Sequence, residues 1–300
     1  MSPSKDVGIM RKPGPGNIGA LKVAHLSPFG YLRRMTPSQS PAPAGPPDET
    51  VDFGFSRVAR EAKAPLVRGL FERVAGRYDL MNDLMSGGIH RLWKAAMIDW
   101  LAPRAAWRMI DVAGGTGDIA LGILRAVGGA SLLAARGGSL AVADINEAML
   151  RVGQRRAARR GAGAALDFVA ADAENLPIAS GSLDAYTVAF GLRNVTDLDA
   201  ALTEARRLLK PGGRFLCLEF SKPALPLIGP LYDRYSFTVL PKLGQWVAGD
   251  GDAYRYLAES IRRFPDQPAF ARRIAAAGLE QVKVRNMSGG IAALHSAWRL

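Results

Sequence analysis

The sequence predicts an α/β domain of the doubly wound kind, a mostly parallel sheet with helices on both faces. Three observations carry that expectation. Between residues 108 and 220, five short apolar runs alternate with stretches of helical periodicity. The first run leads into a glycine-rich turn, Asp111-Val112-Ala113-Gly114-Gly115-Thr116-Gly117, which opens a helix. Acidic residues stand at or just past the ends of the first three runs: Asp111, Asp144 and Asp172.

In chain order, residues 1–50 come first and differ from the rest. They hold nine of the 19 prolines and little apolar periodicity, so they cannot offset the entropy of becoming ordered. A disordered proline-rich extension is expected there, with the folded domain over 51–300. The extension lacks the apolar core of a secretory signal. A transit peptide, or an over-long reading frame whose start is Met35, are the other readings of this segment. Residues 66–100 read as N-terminal helices, with apolar side chains returning every three or four positions. Strands are expected at 108–113, 139–144, 166–170, 183–190 and 214–220, and helices at 118–127, 148–160 and 198–209. Each strand–helix–strand unit takes the right-handed crossover. Residues 223–278 form a long, mostly helical insertion. Strands at 280–285 and 292–299 close a seven-stranded sheet as an antiparallel pair at its edge.

Composition narrows the function. The chain has 300 residues, 48% of them hydrophobic and 22% charged, enough for a core without covalent staples. Cys217 is the single cysteine, which excludes a disulfide framework and any multi-cysteine metal cluster. His25, His90 and His295 lie far apart, with no metal-ligand spacing, and no metal is expected. Such a chain suits a reducing, cytoplasmic setting. The 39 Lys and Arg exceed the 27 Asp and Glu, for a net charge of +12. Arg151, Arg155, Arg156, Arg159 and Arg160 supply part of that excess along one helix. No aromatic side chains are interleaved with them, so a solvated helix face is the better reading, and nucleic acid is not an expected partner. Nowhere do 18 consecutive apolar residues occur, as a spanning helix would need.

The glycine-rich turn brings backbone close to a ligand and presents a helix N-terminus. A dinucleotide pyrophosphate and the amino-acid end of S-adenosylmethionine both use such a turn. Gly115, Gly117 and Ala120 also satisfy the loose dinucleotide pattern. Asp111 favours the second ligand, since a carboxylate meets an ammonium well and repels a pyrophosphate. Asp144 is placed to bind ribose hydroxyls, which suits either ligand. Asp172 is placed to accept from an adenine amine, although it also reads as a turn cap. Leu209-Lys210-Pro211-Gly212-Gly213 ends a helix and turns into the fifth strand.

Longer motifs resemble the ubiquinone/menaquinone biosynthesis C-methyltransferases, the UbiE family. They include Tyr78-Asp79-Leu80-Met81-Asn82-Asp83-Leu84-Met85, continuing through His90-Arg91-Leu92-Trp93-Lys94, and Phe190-Gly191-Leu192-Arg193-Asn194-Val195-Thr196-Asp197. Others are Arg207-Leu208-Leu209-Lys210-Pro211-Gly212-Gly213-Arg214, followed by Leu218-Glu219-Phe220-Ser221, and Tyr254-Arg255-Tyr256-Leu257-Ala258-Glu259-Ser260-Ile261. Phe53-Gly54-Phe55 fits as well, so the resemblance runs from about residue 51 onward. It implies a class I methyltransferase (Rossmann-like) fold, S-adenosylmethionine as cofactor, and methyl transfer to a ring carbon of a prenylated quinol. That quinol would be a 2-methoxy-6-polyprenyl-1,4-benzoquinol, a demethylmenaquinol, or both. Thr116, Asp144, Asp172 and Ala173 match cofactor-contacting positions, beside Asp111, Gly114, Gly115 and Gly117 of the turn. Two departures stand out. Ala189 occupies a place where the family commonly has Ser. The span from Gly117 to Asp144 is longer than usual, and a surface loop framed by Gly128, Gly129, Gly137 and Gly138 is expected there.

The resemblance also suggests catalytic groups. A quinol carbon becomes nucleophilic when a ring hydroxyl loses its proton, so a proton acceptor and an oxyanion partner are needed. Arg193 is the expected oxyanion partner and Asn194 the group that orients the ring. His90 and Asp79 are candidate proton acceptors, His90 reading equally as a satisfied structural histidine and Arg193 less readily as an ion pair with Asp197. The apolar and basic stretch 225–247 would line a lipophilic entrance or touch an anionic membrane from its inner face, or simply pack over the sheet. A homodimer or a quinone-biosynthesis complex is a further expected partnership. Two other functions stand beside methyl transfer: a nicotinamide-dependent oxidoreductase, for which no Tyr-x-x-x-Lys follows the fourth strand, and a non-catalytic subunit that retains the fold.

Overall fold

The computed structural model describes residues 49–74, 83, 86–223, 238 and 251–300. The proline-rich segment, Asp79 and nearly all of 225–247 lie outside the described residues.

The described chain opens with a hairpin that local periodicity does not announce: β1 (Thr50–Phe53) pairs antiparallel with β2 (Ser56–Ala59). Its two-residue loop starts at Gly54, whose φ of +60° suits the first central position of a II′ turn. Helix α1 (Arg60–Val74) follows directly, and α2 (His90–Leu101) buries His90, Trp93, Met97 and Leu101 at helical spacing.

The alternating region then builds the sheet. Its elements are β3 (Arg108–Val112), α3 (Asp118–Ala126), α4 (Ala130–Ala135), β4 (Ser139–Asp144), α5 (Glu147–Arg159), β5 (Leu166–Ala170), β6 (Leu183–Ala189), α6 (Leu198–Leu208) and β7 (Leu209–Phe220). Helices α7 (Gly251–Arg263) and α8 (Gln267–Ala276) precede β8 (Glu280–Met287) and β9 (Ala292–Arg299). The strand order is β5-β4-β3-β6-β7-β9-β8, with neighbours from β5 to β7 parallel. The final pair is antiparallel, as expected, but its arrangement is finer than expected. β9 pairs antiparallel with both β7 and β8, so the antiparallel strand lies one place inside the edge.

Alternation along each strand divides the core into two layers. Met109, Leu140 and Val142 pack under α2, α3 and α5, while Ile110, Val112, Ala141 and Ala143 pack under α6 and α8. The expected surface loop between Gly128 and Gly138 is instead largely the short helix α4. Its Leu133 is buried at 2% exposure and anchors the insert to the core. In β7 the Lys210–Gly213 turn is a bulge within the strand, since Leu183 pairs with Leu209 and Ala185 already pairs with Arg214.

Asn146 caps α5 by accepting from the Met149 N–H at 3.1 Å, and Asp197 caps α6 by accepting from the N–H groups of Asp199 and Ala200 at 3.0 Å each. The carboxyl ends of β3, β4 and β6 are therefore followed by tightly fastened turns. β3 meets β6 where the strand order reverses, and a crevice opens at that point.

Candidate cofactor and substrate site

The crevice is lined by Asp111, Gly114, Gly115 and Thr116 from the β3 turn, by Asp144 from β4, and by Asp172 and Ala173 from the segment after β5. Ala189, Phe190, Gly191 and Asn194 close it from the β6 side. Gly117 stands back from the lining as the N-cap of α3, with φ +78°. A side chain at Gly114 would stand 2.7 Å from Asp111 Oδ2, and one at Gly115 would stand 3.0 Å from Met149 Cε. The turn thus keeps its backbone exposed to whatever lies in the crevice.

The three carboxylates differ in how far they are already satisfied. Asp111 is 1% exposed; the Thr187 hydroxyl lies 3.0 Å from its Oδ1, and its Oδ2 has no partner among the described residues. Burial raises its pKa to about 7. Asp144 accepts from the Gly115 N–H through Oδ2 at 2.9 Å and from the Asn146 N–H through Oδ1 at 2.8 Å. Burial raises it to about 6 even so. Asp172 Oδ1 accepts from the Glu174 N–H at 3.0 Å, the turn-capping bond its sequence context also suggested, while the residue faces the crevice. An unpaired buried carboxylate oxygen beside a side-chain-free loop fits a cationic amine. Asp144 retains lone pairs for hydroxyl donors. The residues present fit S-adenosylmethionine.

Several lining residues were not found from the sequence. Ala64, Val67, Arg68 and Phe71 form one face of α1 over the crevice, and their i, i+3, i+4, i+7 spacing is the signal that would have revealed them. Asn146 ties that helix down by donating its Nδ2 to the Arg68 carbonyl at 3.2 Å. Lys94 also lines the crevice and pairs with Asp118 at 3.0 Å. Burial opposes ionisation of Asp118, yet Lys94 and Arg156 together hold it below the usual carboxylate range. Arg156 also donates to the Thr116 hydroxyl at 3.3 Å. Glu174 accepts from the N–H groups of Thr196 and Asp197 at 2.7 and 2.8 Å, which joins the Asp172 turn to the Asn194 turn.

The expected catalytic groups are not all brought together. Asn194 faces the crevice, and its Oδ1 accepts from the Tyr256 hydroxyl at 3.2 Å. Burial pushes that hydroxyl up to about 12, so it remains a donor. Arg193 lies on the other side of the same 3-10 turn (Leu192–Asn194). Its guanidinium pairs with Glu219 at 3.0 Å, both side chains 1% exposed, and donates to the Phe190 carbonyl. The ion-pair partner weighed from sequence, Asp197, pairs instead with Arg60 at 2.7 Å. His90 is buried outside the crevice lining, its Nε2 2.9 Å from Asp83 Oδ1. Burial lowers its pKa, with Asp83 partly opposing the shift.

A seven-stranded sheet with a single internal antiparallel strand, a glycine turn after β3 and acids at three successive strand ends define an S-adenosylmethionine-dependent methyltransferase of class I. Solved structures share this fold. One is a SAM-dependent methyltransferase, possible histamine N-methyltransferase, from Thermotoga maritima (TM-score 0.54, 17% identity, covering 78% of this chain and all of that one). Another is a SAM-dependent methyltransferase from Aquifex aeolicus (TM-score 0.51, 14% identity, covering 73% of this chain and 97% of that one). The chain belongs to the ubiE/COQ5 methyltransferase family, whose model matches residues 57–299. It is 54% identical over 250 residues to the ubiquinone/menaquinone biosynthesis C-methyltransferase UbiE of Brucella abortus, covering 83% of this chain and 90% of that protein. It is 53% identical to the protein of the same name from Brucella anthropi, at 83% and 92% coverage.

Proposed function

We propose that this protein methylates a ring carbon of a prenylated quinol in ubiquinone or menaquinone biosynthesis, within one methyltransferase domain over 51–300. The substrate is a 2-methoxy-6-polyprenyl-1,4-benzoquinol, a demethylmenaquinol, or both. The observation that carries the reading is the crevice itself. Three strand-end acids line it together with the apolar face of α1, Phe190 and Asn194. The relatives' shared name supplies the acceptor class. That name favours the transferase over the oxidoreductase and the non-catalytic subunit.

The cofactor, when bound, supplies a methyl carbon activated on a sulfonium. Asp111 offers its unpaired Oδ2 to the ammonium of the amino-acid end, and Gly114, Gly115 and Thr116 shape the loop around it. Gly117 starts the helix behind that loop. Asp144 would take the ribose hydroxyls, and Asp172 and Ala173 would hold the adenine. The Val67 and Phe71 face of α1 excludes water from the acceptor ring, which strengthens every polar contact inside. Tyr256 occupies the Asn194 carbonyl oxygen, which leaves the Asn194 amide NH₂ to donate to a ring oxygen. Arg193 acts through the turn it braces rather than by contact. The ring hydroxyl proton would pass to Asp79 or to a water held at Asn194, because His90 lies outside the crevice lining.

Among the described residues no helix is long and apolar enough to cross a membrane. A cytoplasmic enzyme that meets its substrate at the inner face of an anionic membrane, through 225–247, is part of the same proposal. So is assembly as a homodimer or within a biosynthetic complex. The test is single-turnover methylation by the purified protein of each reduced short-chain quinol, read by mass spectrometry. A ring-methylated product from at least one supports the proposal. Tight binding of S-adenosylhomocysteine with no product from either would reject the quinol as acceptor.

A further inference from the structure

Beside the crevice lies a second, open cavity of about 330 Å³, lined by the β1–β2 hairpin, the start of α1, the 192–198 turn, α7 and α8. Val195 and Thr196 face both spaces, so this turn is the wall between them. The second cavity is strongly cationic. Arg57, Arg60, Lys63, Arg193, Arg263 and Arg273 line it, against Asp52 and Asp197.

Four of those six cations are already matched. Arg57 pairs with Asp52 at 3.4 Å, Arg60 with Asp197 at 2.7 Å, Arg193 with Glu219 at 3.0 Å, and Arg273 with Asp199 at 2.7 Å. Lys63 and Arg263 are not. Lys63 is only 7% exposed and has no hydrogen-bond or ion-pair partner among the described residues. Asp52 and Glu174 attract it through space, and burial still works against its charge. The Arg263 guanidinium stacks 5.7 Å above the Phe55 ring and makes no ion pair among the described residues. Burial of the Lys63 side chain disfavours its charge, and an opposite charge joining it would offset that cost. Its two unmatched positive charges share one polar cavity large enough for a hydrated tetrahedral anion.

We propose that this cavity is an anion site that binds a phosphate group, with Lys63 donating from α1 and Arg263 from α7. A phosphate carries up to two negative charges and several acceptor oxygens, which match both unmatched cations; a carboxylate matches one. The phosphate belongs either to a small phosphate ester or to the headgroup of an anionic phospholipid. The site is separate from the methyl-transfer crevice and does not depend on the identity of the acceptor.

The experiment uses the full chain and follows Tm against inorganic phosphate and glycerol phosphate at constant ionic strength, together with sedimentation on phosphatidylglycerol vesicles beside phosphatidylcholine controls. Wild type gains Tm with phosphate along a saturable curve, as a ligand of the folded state must produce. Lys63→Met starts with a higher Tm than wild type, because the uncompensated charge is gone, and loses at least tenfold in phosphate affinity. Lys63→Arg retains most of the affinity. Arg263→Gln, at an exposed position that cannot compromise folding, weakens phosphate severalfold. Response to the soluble ions assigns a small phosphate ester; response only to phosphatidylglycerol, with the same mutant pattern, assigns a lipid headgroup. Three results would overturn the proposal: no saturable response to any of the probes, a response unaltered in both Lys63→Met and Arg263→Gln, or competition between phosphate and the quinol.

Discussion

The crevice and the turn behind it hold their buried charges in opposite ways. On the β3–β4 side, Asp111 and Asp144 are buried without an ion-pair partner among the described residues, and burial raises both pKa values, for Asp111 against the pull of Lys94. Behind the β6 turn, outside the crevice lining, Arg193 and Glu219 are equally buried but pair with each other at 3.0 Å; burial still raises Glu219, and Arg193 opposes that rise. Both places are desolvated, so burial alone does not mark a binding group. The two acids, on the receptor side, carry no ion pair and suit a cationic ligand; the Arg193–Glu219 pair acts as a strut, although Nε and Nη2 of Arg193 have no hydrogen-bond partner among the described residues.

The largest effect should come from breaking the strut. Arg193→Ala strands the Glu219 carboxylate at 1% exposure, a loss on the order of 3–5 kcal/mol. That corresponds to a fall in Tm of roughly 10 °C by thermal denaturation. Loss of turnover with unchanged Tm would show instead that the guanidinium works on substrate and that the pair contributes little to stability. Next in size is Asp144→Ala. Removing acceptors for the ribose hydroxyls should weaken S-adenosylhomocysteine by about 1.5–3 kcal/mol in calorimetry, with folding little changed. Wild-type affinity in that variant would remove Asp144 from the receptor side.

Asp111 sharpens the contrast through pH. Its folded pKa, about 7, lies above the unfolded carboxylate value, so between pH ~4 and ~7 the folded state binds more protons than the unfolded. The ligand-free protein therefore loses stability as pH rises through that window, and Asp144 adds to the trend up to about 6. Cofactor binding runs the other way. An ammonium needs the ionised carboxylate, so affinity should fall roughly tenfold per unit below pH 7. Asp111→Asn should flatten that slope in calorimetry over pH 5.5–8. The smallest effect belongs to Tyr256→Phe, which deletes the bond that orients Asn194 and should cost about 1 kcal/mol. KM for the quinol should rise severalfold while cofactor affinity holds; equal losses in both would place Tyr256 in general packing.

The receptor side was legible in the sequence and the strut was not. Asp111, Asp144 and Asp172 sit at junctions that apolar runs and glycines mark locally. Strands 139–144 and 166–170 match the structure residue for residue. The partner of Arg193 is 26 positions away on β7, and no local period connects them. Lys63 escaped notice for a similar reason: nothing near it in the chain reveals that the hairpin and α7 will enclose it. The hairpin was missed because each of its strands is four residues long, and α4 because glycines on both sides of a six-residue stretch read as a loop.

The glycine turn and the 190–194 turn touch. A Cβ on Gly191 would stand 2.4 Å from Ala113 Cβ, and Ala113 and Phe190 both hold positive φ, at 49° and 58°. Chimeras that import the acceptor-side turn of a relative will therefore work only as matched sets. Residues 113 and 191 travel together, or the graft prises apart the glycine turn that lines the crevice.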